Sequence, residues 1–487
     1  MRNSMNRRAF LAGSTALAAG GAATLLPMSA TAAFDAPATL LAIDRRVIEV
    51  NGKAASVFGI RQPDGTPGIA LDPGARFRVD LANRIDEDLI IHWHGQKAPY
   101  LQDGVADARR PLIGPGATQA YDYEPTPGTH WMHSHHSLHE QALMAAPLIV
   151  RSSADLSADV QEVTVILHDF SFRDPAEIFA DLSGGMTPMG NMGGASGSGA
   201  AGMGGMDHAA MGHSMMAMDL NDVEYDAFLA NDRTLDDPLV VQVEPKGRVR
   251  LRIINGAATT AFWLDLGALT GELVAVDGVP VVPLKGSRFP MTMAQRLDLL
   301  VEVPAAGVYP VVAQVEGRRE RTGFVLAAPS VGIEKVSALA ETEAPPVDLS
   351  LEVRLRAAAP LVPRPADRML AMDLTGAMAP YVWTVDGKAW PDVDRPTVRL
   401  GERIVIEFRN RTMMAHPMHL HGHQFQVVGI NGAELSGAMR DTVLVPIMGS
   451  VRIAFDADNS GRWPLHCHNL YHMAAGMMTE VVYDAFA

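Results

Sequence analysis

Apolar and polar residues alternate along much of this chain. The pattern is plain in Phe77-Arg78-Val79-Asp80-Leu81, Tyr121-Asp122-Tyr123-Glu124, Val163-Thr164-Val165-Ile166-Leu167, Arg248-Val249-Arg250-Leu251-Arg252-Ile253 and Arg403-Ile404-Val405-Ile406-Glu407-Phe408. A period of two, bounded by Gly, Pro and Asn, predicts half-buried antiparallel strands. Such strands concentrate in three segments, at about 36–153, 160–330 and 345–487. Each segment carries a turn followed by a charged strand: Asp72-Pro73-Gly74-Ala75-Arg76-Phe77-Arg78, Glu244-Pro245-Lys246-Gly247-Arg248-Val249-Arg250 and Leu400-Gly401-Glu402-Arg403-Ile404. One phrase recurring once per segment predicts a repeated β-sandwich and an all-β fold.

One stretch lacks the pattern. From Gly184 to Asp219 the chain is mostly Gly, Ala, Ser and Met, and nine of its 27 methionines fall between Met186 and Met218. His208 and His213 lie among them. This composition cannot bury enough apolar surface to offset the entropy of ordering, so a mobile insertion in the second segment is expected. It reads either as a flexible, oxidation-prone linker or as an arm that collects Cu(I) on soft thioethers, the reading favoured here.

The first residues read as an address rather than as fold. Asn6-Arg7-Arg8-Ala9-Phe10-Leu11 opens a basic head, an apolar run follows to Leu26, and Ala30-Thr31-Ala32 offers a cleavage site before Ala33. The paired arginines resemble a twin-arginine signal, the route for proteins exported folded around cofactors. An ordinary secretory signal and an uncleaved anchor are the alternatives. Nothing later is long and apolar enough to span a bilayer, so a periplasmic chain without stable membrane insertion is expected. The predicted organisation is a signal at 1–32 and domains at 33–153, 154–335 and 336–487.

Loss of residues 1–32 removes three arginines and no acids, taking the formal charge from −15 to −18. An acidic surface argues against nucleic acid and anionic membranes as partners. The one cysteine, Cys467, excludes an internal disulfide.

Ten of the 17 histidines form four clusters: His92-Trp93-His94, His133-Ser134-His135, His416-Pro417-Met418-His419-Leu420-His421, and His466-Cys467-His468 with His472 and Met477 beyond. Residues i and i+2 of a strand share a face. Thus His92/His94, His133/His135, His419/His421 and His466/His468 are four side-by-side imidazole pairs, eight nitrogens in all. Two metals with three imidazoles each and one with two would use all eight. Cys467 faces the other side of its strand, where it can join His416, His472 and Met477. One Cys, two His and a weak axial Met make the ligand set of a blue copper, and soft sulfur disfavours zinc.

These motifs resemble those of multicopper oxidases: laccases, cuprous oxidases and bacterial copper-resistance oxidases. The run from His466 to Met477 looks closest to the copper-resistance type. The resemblance implies three cupredoxin-like Greek-key β-sandwich domains and four copper ions. His92 and His419 would hold the type 2 copper; His94, His133 and His468 one type 3 copper; His135, His421 and His466 the other. His416, Cys467, His472 and Met477 would hold type 1. Asp103, before the turn at Gly104, is where the family places an acid that helps deliver protons to oxygen. Met473 stands where many relatives carry an acid.

Several residues have plainer readings. His130, His136, His139, His168 and His423 are expected to be hydrogen-bonded structural or surface histidines, with His423 near enough to His421 to support it. Trp93 and Trp131 are expected in the core, and Arg440-Asp441 as a structural ion pair. The expected activity is one-electron oxidation of a reductant coupled to reduction of O2 to water. Cu(I), with copper tolerance as the role, is the favoured substrate; phenols and aromatic amines are the alternative. A copper-sequestering protein without turnover is the rival from another class.

Overall fold

The computed structural model describes residues 37–107, 109–184 and 220–486. The expected signal sequence and the methionine-rich insertion lie outside the described residues.

The chain folds into three sandwiches of two sheets each. Strands within 39–150 form two four-stranded sheets; those within 161–327 form sheets of six and five; those within 368–483 form sheets of seven and five. The alternation seen in the sequence is the burial pattern of these strands. Phe77–Asn83 buries every second residue, and Arg403–Asn410 does nearly the same. Each sandwich closes on its own apolar core, with Phe77 and Leu81 in the first, Leu251 and Leu299 in the second, and Ile406 and Phe455 in the third.

The expectation of antiparallel pairing holds for most strand pairs, and parallel pairs are added to it. Each strand that follows the recurring turn has one parallel and one antiparallel neighbour. Phe77–Asn83 runs parallel to Thr39–Val50 and antiparallel to Thr118–Tyr123. Arg248–Asn255 and Arg403–Asn410 sit the same way in their sheets. Alternation reports which face is buried, not the direction of the neighbouring strand. Because the three phrases occupy equivalent places, the repeat is structural as well as textual.

Two β-ribbons position the site. Ile91–His94 pairs with Gly128–Ser134, placing His92 opposite His133. His416–Leu420 pairs with Arg462–Cys467, placing His419 opposite His466 and Met418 opposite Cys467. Trp93 is fully buried in the first core beneath the ribbon, whereas Trp131, also fully buried, lies on the imidazole face with its ring stacked on His133. Among the described residues, no helix is long and apolar enough to cross a membrane.

Candidate metal centres

Beyond Cys467 the chain turns into the short helix Leu470–Ala474. Asn469 caps it, its side-chain oxygen accepting the N–H groups of Tyr471 and His472. This turn brings His472 back beside Cys467. The sulfur lies 3.7 Å from Nδ1 of His416 and 3.7 Å from Nδ1 of His472, and the two nitrogens are 3.2 Å apart. Their other nitrogens are held: Thr412 Oγ1 lies 2.8 Å from His416 Nε2, and the Asp222 carboxylate lies 3.0 Å from His472 Nε2. Both Nδ1 atoms thus face the sulfur. The Asn469 N–H reaches the sulfur at 3.4 Å. Burial pushes the Cys467 thiol well above its ordinary value, so a bound cation is what would hold it as thiolate. Met477 is fully buried, and its carbonyl accepts the Cys467 N–H at 3.0 Å.

On the opposite side of Cys467, eight imidazoles meet. All four i/i+2 pairs are adjacent, with ring centroids 5.6 Å apart for His92/His94, 6.2 Å for His133/His135, 4.8 Å for His419/His421 and 5.5 Å for His466/His468. His135, His421 and His468 sit just beyond the strand ends, yet the pairing survives there. The eight rings fall into three groups. His94, His133 and His468 form a triangle with centroids 5.1–5.6 Å apart. His94 Nδ1, His133 Nε2 and His468 Nε2 are all buried without a hydrogen-bond partner. In the second triangle, His466 Nε2 is 3.0 Å from His421 Nε2 and 3.4 Å from His135 Nε2. In the third group, His92 and His419 bring their Nε2 atoms within 3.5 Å.

Lone pairs converging at such distances, and buried nitrogens left unpaired, are what a set of metal ligands presents. Burial, with the neighbouring imidazoles, holds His94, His133, His135, His419, His421 and His468 far below the ordinary histidine range. The rings are therefore neutral. The outward nitrogens are fixed by acceptors: His92 Nδ1 by the Asp103 carbonyl, His466 Nδ1 by the Cys467 carbonyl, and His419 Nδ1 by the Asp441 carbonyl. Such partners set the tautomer that leaves the inner nitrogen free.

Asp103 sits where the sequence places it. Its Oδ2 is 2.8 Å from His421 Nδ1 and 3.4 Å from His92 Nδ1, while Oδ1 is buried without a partner. The following Gly104 has φ +86°, and a Cβ there would lie 1.7 Å from the Ile91 carbonyl oxygen. Only glycine admits this approach.

The remaining described histidines lie outside these groups. His168 pairs with the Gly256 carbonyl, His139 with Glu87, and His423 with the His421 carbonyl and the Tyr483 hydroxyl. His130 is buried, and burial pushes it down to about 3. The ring of His136 lies against that of His139. The Arg440-Asp441 expectation is overturned. Arg440 pairs with Asp277 and Glu352, whereas Asp441 pairs with Arg296 and lies 3.1 Å from His94 Nε2. Adjacent residues of a strand point to opposite faces, so sequence neighbours of opposite charge need not meet.

Sequence reasoning missed three acids of the site. Asp441 is one. Glu140, seven residues beyond His133, is buried with a carboxylate oxygen 2.7 Å from His133 Nδ1. Asp222 comes from the second sandwich and carried no local signal.

A cysteine–bis-imidazole set joined by one strand to an eight-imidazole cluster is a donor arrangement consistent with a copper oxidase that has more than one metal centre. Comparison with known proteins agrees. Models of the multicopper oxidase family match residues 43–155, 199–328 and 363–486. The chain is 31% identical over 447 residues to the multicopper oxidase MmcO of Mycobacterium tuberculosis, covering 90% of this chain and 85% of that protein. It is 25% identical to a copper resistance protein A homolog of Pseudomonas syringae pv. tomato, covering 91% of each. Among solved structures, Fet3p, a multicopper oxidase that functions in iron import, superimposes with a TM-score of 0.74 at 17% identity. That match covers 91% of this chain and 90% of Fet3p, and it shows the fold. This chain belongs to the multicopper oxidase family, three cupredoxin-like domains performing copper-dependent reduction of O2.

Proposed function

We propose that the protein is an exported cuprous oxidase that carries four copper ions and couples oxidation of Cu(I) to reduction of O2 to water, protecting the cell from copper. The observation that carries this reading is the Cys467 strand, with sulfur toward His416 and His472 and paired imidazoles on its other side. His416, Cys467, His472 and Met477 would hold type 1 copper. His92 and His419 would hold type 2, and the two triangles the type 3 pair. Bound copper supplies one-electron oxidation at the first centre and four-electron reduction of O2 at the second.

The chain's own groups do the rest. The Cys467 backbone joins the sulfur donor to His466 and His468, one residue away on each side, a covalent path for electrons. Asp222 places a carboxylate 3.0 Å from Nε2 on the outer side of the His472 ring. Asp103, with one buried carboxylate oxygen unpaired, is assigned the delivery of protons at the cluster. Copper as substrate is supported by the thioethers and histidines between Met186 and Met218, by Asp222 following closely after them, and by the names of the copper-resistance relatives.

A second reading, laccase-type oxidation of phenols or aromatic amines, is favoured by an apolar cavity of about 480 Å³. Met293, Val347, Leu349, Met414 and Leu444 line it, and Asn469 brings it beside Cys467. Oxygen uptake with Cu(I) and with a phenol, before and after deletion of 186–218, separates the two. Deletion is expected to slow the Cu(I) rate and leave the phenol rate in place. An unchanged Cu(I) rate would remove the role of the segment.

A further inference from the structure

Among the described residues, the middle domain supplies no imidazole to the cluster, yet one of its side chains reaches it. Arg296 opens the strand Arg296–Glu302 and is fully buried. Its guanidinium touches all three domains. Nε donates to the Thr129 carbonyl of the first domain at 3.2 Å, and Nη1 donates to the Ala294 carbonyl of its own domain at 2.9 Å. Both terminal nitrogens hold the Asp441 carboxylate of the third domain, Nη1 to Oδ1 at 2.8 Å and Nη2 to Oδ2. The Arg296 N–H donates to Asp277 Oδ1 at 3.0 Å, and Asp277 accepts Arg440 Nε at 2.9 Å, so the strand end is itself pinned.

Asp441 then acts on two rings of the cluster. Its Oδ1 lies 3.1 Å from His94 Nε2, and its carbonyl accepts from His419 Nδ1 at 2.8 Å. Those rings stack with centroids 3.8 Å apart, 16° from parallel. His94 is the exception among the eight. His133 and His468 leave Nε2 unpaired toward their common centre, whereas His94 leaves Nδ1. A neutral imidazole carries one N–H. A carboxylate held against Nε2 requires the N–H there and frees the Nδ1 lone pair. Bidentate pairing to a guanidinium fixes the carboxylate plane, which a point charge would not do. Gly95 shows how closely the fork is packed: a Cβ there would lie 2.5 Å from Arg296 Nη2 and 3.0 Å from Asp441 Oδ2.

We propose that Arg296 is a positioning residue that, through Asp441, selects the nitrogen His94 presents to the cluster, so the middle domain governs assembly of a centre to which it gives no ligand. The inference rests on reading the eight imidazoles as the trinuclear copper site. The unsubstituted protein tests that reading separately, by showing the visible thiolate–copper band together with the near-ultraviolet absorption of a binuclear copper pair.

The experiment compares the copper-loaded full chain with Arg296→Met and Arg296→Lys, measuring copper per chain and both bands. Removing an outer partner of a metal-bound histidine costs about 10–100-fold in metal affinity. Arg296→Met is therefore expected to keep the visible band while its near-ultraviolet band and copper content fall. Arg296→Lys, which keeps the charge but not the fork, is expected to fall between. Full copper and an unchanged near-ultraviolet band in Arg296→Met would overturn the proposal. Parallel loss of both bands in both variants would also overturn it, since Arg296 would then only hold the fold together.

Discussion

Gly104→Ala offers a direct test of how the Asp103 turn builds the cluster. At φ +86° the added methyl carries the ordinary left-handed penalty of roughly 1–2 kcal/mol for a non-glycine residue. Its contacts are the larger matter. The Cβ would stand 1.7 Å from the Ile91 carbonyl oxygen and 2.9 Å from the His92 Cα, both backbone atoms of the strand that carries the first imidazole pair. Since real Cβ contacts essentially never fall below 3.0 Å, turn and strand must separate by about 1.3 Å. Site geometry tolerates only about 0.5 Å. That separation would break the 3.0 Å contact from His92 Nδ1 to the Asp103 carbonyl and the 2.8 Å contact from Asp103 to His421. Gly74→Ala is the control, because Gly74 has φ +80° and nothing within 4 Å of its Cβ. Both variants carry the left-handed strain, and only one carries the clash. Copper per chain and the two absorption bands are the assay. Gly104→Ala is expected to lose cluster copper and oxygen uptake while keeping the visible band of the Cys467 site, which the Asp103 turn does not contact; Gly74→Ala is expected to keep everything. A Gly104→Ala protein with full copper and normal turnover would refute the reasoning.

Two further outcomes are expected. Cys467→Ser should abolish both the visible band and turnover, because a hydroxyl is neither soft nor readily ionised. A sequestering protein would instead keep most of its copper and have no turnover to lose. In the metal-free chain, burial holds His130 and His466 down to about 3 and His423 to about 4, against an ordinary value of 6.5. Below about pH 6.5 the unfolded chain binds protons that these folded histidines refuse. Thermal stability of the metal-free protein should therefore be greatest above pH 6.5 and decline steadily down to about pH 4; a flat profile there would contradict the burial.

Much of the site was legible because copper chemistry at a strand writes itself locally. His92/His94, His133/His135, His419/His421 and His466/His468 are each a two-residue statement about one face, and Cys467 between two histidines is a statement about both faces. The apolar alternation likewise announced three sandwiches, since burial on one side of a sheet is periodic in sequence. Strand direction was not legible, because a parallel and an antiparallel neighbour bury the same side chains. Nor were the groups that orient the ligands. Asp222, Asp441 and Arg296 act across distances of tens to hundreds of residues, Glu140 lies seven residues from His133, and an acid or arginine carries no local mark of the histidine it will meet. Sequence by itself determined which side chains come together as candidate ligands, for they come in pairs along one strand. Tertiary structure decided which nitrogen rings such as His94 and His421 present, because Asp441 and Asp103 reach them from another domain, contacts that exist only once the sandwiches have packed together.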